Sequence, residues 1–278
     1  MAGENAFPRK IAFFAEHEGG LHLLDYASGK MRELNVGLSD IGNLAYAGTK
    51  NLLAFEGAKG HEQPHSLYLL HLKGNKVELI YKEASGKPSL YRPQFDPKGD
   101  HLYALNYSDG IYRYSLANRT WEKVRVSGIE SLNTQGLSFS KSGRKVAISP
   151  GDFKGFYIAR VENGEFSVEE HVLTDFSSCI SPQWIGDEGV VFAGRKEAGL
   201  QYLWKVELPS GKLVQITGPP IGVRDFLTLS KDEKTIVFTA TGKQLEWRLW
   251  EVSIDGTGLK QLTRGGSLSG HLSPVWIE

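Results

Sequence analysis

The segment His61-Glu62-Gln63-Pro64-His65 has the H-E-x-x-H spacing of the zinc proteases. That chemistry needs a helix. Two imidazoles four residues apart share one metal only when both lie on one helical face, with the glutamate beside the bound water. Here Gly60 precedes the five residues, Pro64 lies inside them, and an alternating segment starts at Ser66. Pro64 has no N–H to donate and pushes Gln63 toward extended backbone. The spacing therefore falls on a loop, and the zinc reading fails on backbone grounds. A long loop at a sheet edge still has the character of a functional segment.

No other catalytic spacing holds. The stretch RGGSLSG at 264–270 lacks the G-x-S-x-G order of a nucleophile elbow. There is no P-loop and no G-x-G-x-x-G opening a helix. Asp255 and Gly256 in SIDGTG lack the other acidic positions of a calcium loop and read as a hairpin turn. The single cysteine, Cys179, excludes an intrachain disulfide and a cysteine-based zinc site. With 32 basic and 32 acidic residues the chain is neutral, which argues against nucleic acid or an anionic membrane as partner. The opening MAGENAFPRK has no basic stretch leading into an apolar run. No window approaches the ~18 apolar residues of a membrane span. The compartment reads as cytoplasmic if Met1 is the native start, and as periplasmic or extracellular if a leader was removed.

The elements that must position any site come from a repeat. Six segments carry a large anchor residue, a polar turn and a short apolar run. The anchors are Tyr46, Phe95, Phe139, Trp184, Leu229 and Trp276. They recur about every 45 residues, a period of four-stranded propeller blades. After each anchor comes an apolar strand such as LLAF, LYAL or VVFAG, then a loop, then an alternating strand such as GIYRYSLAN, then a more polar one such as KVELIYK. Gly, Asn, Asp and Ser mark the turns. No window has helical periodicity. The opening 9–34 supplies a second, third and fourth strand without a first, and HLSPVWIE supplies a first strand alone. Joined, they complete one blade and remove an exposed sheet edge. The prediction is an all-β, single-domain, six-bladed propeller with four-stranded antiparallel blades. The blades are 9–36 plus 272–278, then 41–82, 91–127, 134–174, 180–218 and 225–264.

These units resemble the WD-like repeats of TolB-type six-bladed propellers. The closest segments are SPQW (181–184) with VVFAGRKE (190–197), and LWEVSIDGTGLKQLT (249–263) followed by SPVW (273–276). The resemblance spans the whole chain and implies a propeller. It leaves function open, because the motif recurs in binding proteins, peptidase gate domains and some lyases.

A propeller has a central channel lined by its first strands. The positions facing the axis read as Ala45, Gln94, Ser138, Gln183, Thr228 and Val275, and two residues earlier as Asn43, Arg92, Gly136, Ser181, Phe226 and Ser273. The rim where blades connect adds Asp40, Tyr91, Arg224, Asp225 and His271. Loops between second and third strands add Glu56, His61, His65, Asp109, Asp152 and Arg195. The expected ligand- or partner-binding set is Asp40, Asn43, Glu56, Tyr91, Arg92, Arg195, Arg224 and His271. On this reading the chain is a non-catalytic, monomeric module that binds a protein or peptide at its funnel and needs no cofactor. Two alternatives stay open. Six-bladed propellers include metal-dependent lactonases and sugar-acid enzymes, and Asp40, Asn43 and Glu56 would supply three oxygen ligands to a divalent cation in the channel. A gate domain acting in trans on a separate enzyme is the other. Structural roles compete throughout: Arg92 and Arg224 suit interblade ion pairs, Arg195 a structural hydrogen bond, and His271 a satisfied position beside the closing strand.

Overall fold

The second strand of each unit explains the architecture. Leu52–Ala58 is buried at every position, and His101–Asn106, Lys145–Pro150 and Thr235–Thr241 nearly so. A strand buried on both faces must have a sheet on either side, so its sequence reads as an unbroken apolar run rather than an alternating one. Fourth strands such as Met31–Leu34 and Lys212–Gln215 are mostly exposed and correspondingly polar.

The computed structural model describes residues 9–15, 20–60, 65–129, 133–241, 246–264 and 270–278, with Asp225 described by its backbone only. Six small antiparallel sheets form a ring, a six-bladed β-propeller, and no helix occurs among the described residues. The second blade runs Asp40–Ala47, Leu52–Ala58, Ser66–His71, Lys76–Tyr81 from axis to rim, and the other blades repeat that order. The blade shared by the two chain ends places His271–Ile277 innermost beside Lys10–Ala15, followed by Leu21–Asp25 and Met31–Leu34. The closing register pairs Lys10 with Ile277, Ile11 with Trp276 and Ala15 with His271.

One detail departs from the sequence reading. Val126–Ser127, read as the end of the third blade, pairs in parallel with Glu165–Val172 and gives the fourth blade a fifth, outermost strand. It covers an edge that would otherwise expose unpaired N–H and C=O groups.

The core is distributed between blades. Ala45, Leu52 and Leu69 pack against Phe95 and Leu102 of the third blade, Tyr103 and Leu105 against Phe139 and Val146 of the fourth, and Ile11 and Phe13 against Val237 and Leu249 of the sixth. Most anchors seal these interfaces. Phe95 is 4% exposed, Trp184 6% and Trp276 5%, whereas Tyr46 and Leu229 are only half-buried. Trp184 Nε1 donates to the Ser138 carbonyl across a blade boundary at 3.0 Å, and Trp121 Nε1 to the Ile80 carbonyl at 3.0 Å.

Candidate functional site

Each innermost strand is interrupted by a bulge near its start. The pairing slips between Ile41 and Leu44, Tyr91 and Gln94, Thr134 and Gly136, Ile180 and Gln183, and Val223 and Leu227, and opposite the slip between Ala12 and Phe14 in the closing blade. Three of these bulges are X-Pro pairs. Arg92, Ser181 and Ser273 stand before Pro93, Pro182 and Pro274, with φ of 50°, 50° and 51°. Proline removes a donor that a bulge would leave unpaired. The non-glycine residue ahead of it is held in a sparsely populated conformation, which the surrounding fold must enforce.

Bulges at one height around a ring re-aim side chains toward the axis. They line a cavity of ≈ 510 Å³. Asn43, Arg92, Gly136, Ser181, Phe226 and Ser273 all border it near the starts of the inner strands, and Thr49, Pro97, Lys231 and Glu278 border it beyond their ends. Ala45, Gln94, Gln183, Thr228 and Val275 also line it, while Ser138 is buried away from it. Arg92 belongs to the third blade and Phe226 to the sixth, on the opposite side of the ring. The Arg92 guanidinium lies 5.8 Å from the Phe226 ring centroid, so this cation–π contact spans the mouth of the channel. Phe14 meets the same ring edge-on at 6.5 Å.

Arg92 is held from behind by Glu56. Sequence reading placed Glu56 in a rim loop. It lies instead within strand Leu52–Ala58 and is 7% exposed. Its Oε1 accepts the Arg92 backbone N–H at 2.6 Å and Asn43 Nδ2 at 2.7 Å. Its Oε2 lies 3.8 Å from His65 Nδ1, and His65 Nε2 lies 2.9 Å from Asp40 Oδ2. Gly42 leaves room for this carboxylate, since a Cβ there would come within 2.8 Å of Glu56 Oε2. The imidazole between two carboxylates is pushed up to about 9, chiefly by Glu56 and also by Asp40, against the opposing effect of burial. His65 is therefore an imidazolium at neutral pH and supplies the countercharge to both acids. Tyr91 packs on Tyr107, ring centroids 3.6 Å apart, and its buried hydroxyl has no hydrogen-bond partner among the described residues. Burial raises its pKa strongly.

Asp40, Asn43 and Glu56, the trio considered for a cation, do come together. Their directions suit a proton better than a metal. Asn43 turns its amide nitrogen toward Glu56, and His65⁺ bridges the two carboxylates. Among the described residues no group of three or more His, Cys, Asp and Glu could hold a metal ion.

The remaining expected residues are dispersed. Arg224 lies 4.9 Å from the Trp247 ring and does not border the channel cavity. Arg195 ends strand Gly189–Arg195, not a loop, and donates to the Gly199 carbonyl at 3.4 Å. His271 is 6% exposed, with its ring 4.9 Å from Phe13. Asp109 pairs with Lys123, and Asp152 caps its own loop by accepting the Lys154 N–H. Residues 61–64 of the H-E-x-x-H spacing, 265–269 of RGGSLSG and the Asp225 side chain lie outside the described residues.

No protein-family model matches the chain, and no curated protein matches it. Among solved structures, TolB from Acinetobacter baumannii superposes with a TM-score of 0.75 at 15% identity, covering 97% of this chain and 66% of that one. The chain thus spans just under two thirds of that TolB's length. A TolB described as such from Agrobacterium tumefaciens matches at TM-score 0.65 and 14% identity, over 93% of this chain and 90% of that one. A nidogen/laminin complex supplies a chain matching at TM-score 0.72 and 9% identity, over 97% and 98%. An oligogalacturonate lyase in complex with manganese matches at TM-score 0.54 and 14% identity, over 95% and 74%. The fold is that of a TolB-like six-bladed propeller. At these identities the similarity defines the fold alone.

Proposed function

We propose that the chain is a non-catalytic recognition module that binds a protein or peptide at the mouth of its central channel, through Arg92. The observation that carries this reading is the Arg92–Phe226 contact across an otherwise open, polar-walled cavity. A guanidinium at a channel entrance is the kind of planar, charged group that recognises a carboxylate or carbonyl. The Arg92 backbone is fixed by Glu56, so the side chain starts from a defined position and loses little freedom on binding. Matched folds labelled TolB and nidogen/laminin are consistent with a binding role but do not name a partner for this chain.

The test is capture of partners from native extract on immobilised protein, compared with Arg92→Gly. Glycine accepts a φ of 50° readily, so this variant removes the cation without straining the bulge. The expectation is an unchanged fold with loss of a specific captured protein. Equal capture by both proteins would reject the channel mouth as the binding surface.

A further inference from the structure

A second cavity, ≈ 770 Å³, opens between the first and second blades, away from the channel mouth. Its size is within the range of small-molecule sites, about 300–1,000 Å³. It exists because this interface is incompletely filled. The anchor Tyr46 is half-buried here, as are Leu72 and Ile277, while the anchors of the neighbouring interfaces, Phe95 and Trp276, are 4% and 5% exposed. The floor is apolar, formed by Leu23 and Leu34 with those three side chains.

The mouth carries charge of both signs, Lys10 and Arg32 with Glu33 and Glu278, and Arg32 is the group placed to meet an anion. Leu23 and Arg32 are directly opposed across the sheet, so the guanidinium stands on the face that carries the apolar floor. Among the described residues Arg32 makes no ion pair. Lys10 stands nearby, and Asn35, Asn51 and Asn75 add amides at the edge. Glu278 also borders the cavity, but its carboxylate is engaged by Arg9 at 2.5 Å and by the Lys231 N–H at 2.7 Å. Glu33 borders the cavity too, but it is opposed to His22 rather than to Leu23, on the strand face away from Arg32.

We propose that this interblade cavity is a binding site for a small amphipathic carboxylate, of the medium-chain acyl type. The hydrocarbon would lie on Leu23, Leu34, Leu72 and Ile277, and the carboxylate would pair with Arg32. An apolar floor selects against a simple inorganic anion, and an unpaired guanidinium selects against a neutral lipid. The ligand would bridge the blade that holds both ends of the chain to its neighbour, so binding stabilises ring closure by mass action.

Calorimetric titration of the full chain with decanoate, and with decanol as the neutral control, tests this. Expected are saturable decanoate binding at millimolar or lower concentration, a raised melting temperature, and much weaker decanol binding. Arg32→Gln should weaken decanoate about tenfold or more, as loss of a charge-assisted pair does. Leu72→Trp, which fills the cavity without touching a charge, should abolish binding while the circular dichroism spectrum is retained. The proposal is overturned by absence of decanoate binding, by decanol binding equally well, or by either variant binding like the parent.

Discussion

The carboxylate of Glu56, in the second blade, accepts the backbone N–H of Arg92, in the third, at 2.6 Å. A buried side chain of one blade thereby fixes the bulge of the next. The same carboxylate collects Asn43 and faces His65, so a single acidic group organises one side of the channel mouth.

Removing that group should be costly, and unevenly so. Glu56→Ala strands the Arg92 N–H and the Asn43 amide, and an unsatisfied buried polar group costs about 1–3 kcal/mol. Glu56→Gln keeps one acceptor oxygen and should cost less. Urea unfolding of both variants checks the order; equal midpoints for alanine and parent would show that Glu56 fixes nothing.

His65 makes a pH prediction with a definite sign. Its folded value is raised from 6.5 to about 9. Its contribution is fully present below the unfolded value, and is lost as pH rises through the folded one. The parent should therefore lose stability relative to His65→Gln between about pH 6.5 and pH 9. A stability difference that stays flat across that window refutes the two-carboxylate bridge.

Divalent cations should do little at this cluster. An imidazolium already stands between Asp40 and Glu56 at neutral pH, so calcium, manganese or zinc would have to displace its proton to reach both carboxylates. Melting temperatures with each ion are expected to stay within about 1 °C of the metal-free value, a large shift being the signature of tight binding. A rise of several degrees, abolished by Glu56→Gln, would restore the cation reading.

Trp276 tests the closing blade. It is 5% exposed, lies 5.1 Å from the Tyr26 ring and 4.6 Å from the Arg9 guanidinium, and packs with Ile11 and Phe13. Trp276→Ala should cost about 3–5 kcal/mol. A loss below 1 kcal/mol in chemical denaturation would mean that the shared blade contributes little to the ring.

The ring was legible in the sequence because its signal is local and repeated. Anchors such as Phe95 and Trp184 recur at blade spacing, and strands buried on both faces leave runs such as VVFAG. Most of the channel lining was legible for the same reason, since first strands alternate, with Ser138 the exception. The site was legible only as a set of nearby residues. Glu56 sits at the end of the apolar run LLAF and reads as the beginning of a loop, yet the strand continues to Ala58. Its partner Arg92 is one blade on, and Phe226 lies across the axis. Such pairings are set by the radius of the closed ring, which no window of sequence contains. One signal was available: Arg92-Pro93, Ser181-Pro182 and Ser273-Pro274 recur at matching positions, and proline in an inner strand marks a bulge.

The pairing of Lys10–Ala15 with His271–Ile277 has a bearing on biosynthesis. While the polypeptide emerges from the ribosome, the earliest strand has no inner neighbour, and five other sheets can assemble before one exists. The nascent molecule is an open crescent with a bare hydrogen-bonding border until the closing segment leaves the exit tunnel. Contacts of such long sequence separation form late and slowly, and a half-built arc is vulnerable to adhesion with its copies. Translation halted shortly before residue 271 should yield chains that clump, whereas chains in which residues 271–277 have cleared the tunnel should let the crescent snap shut.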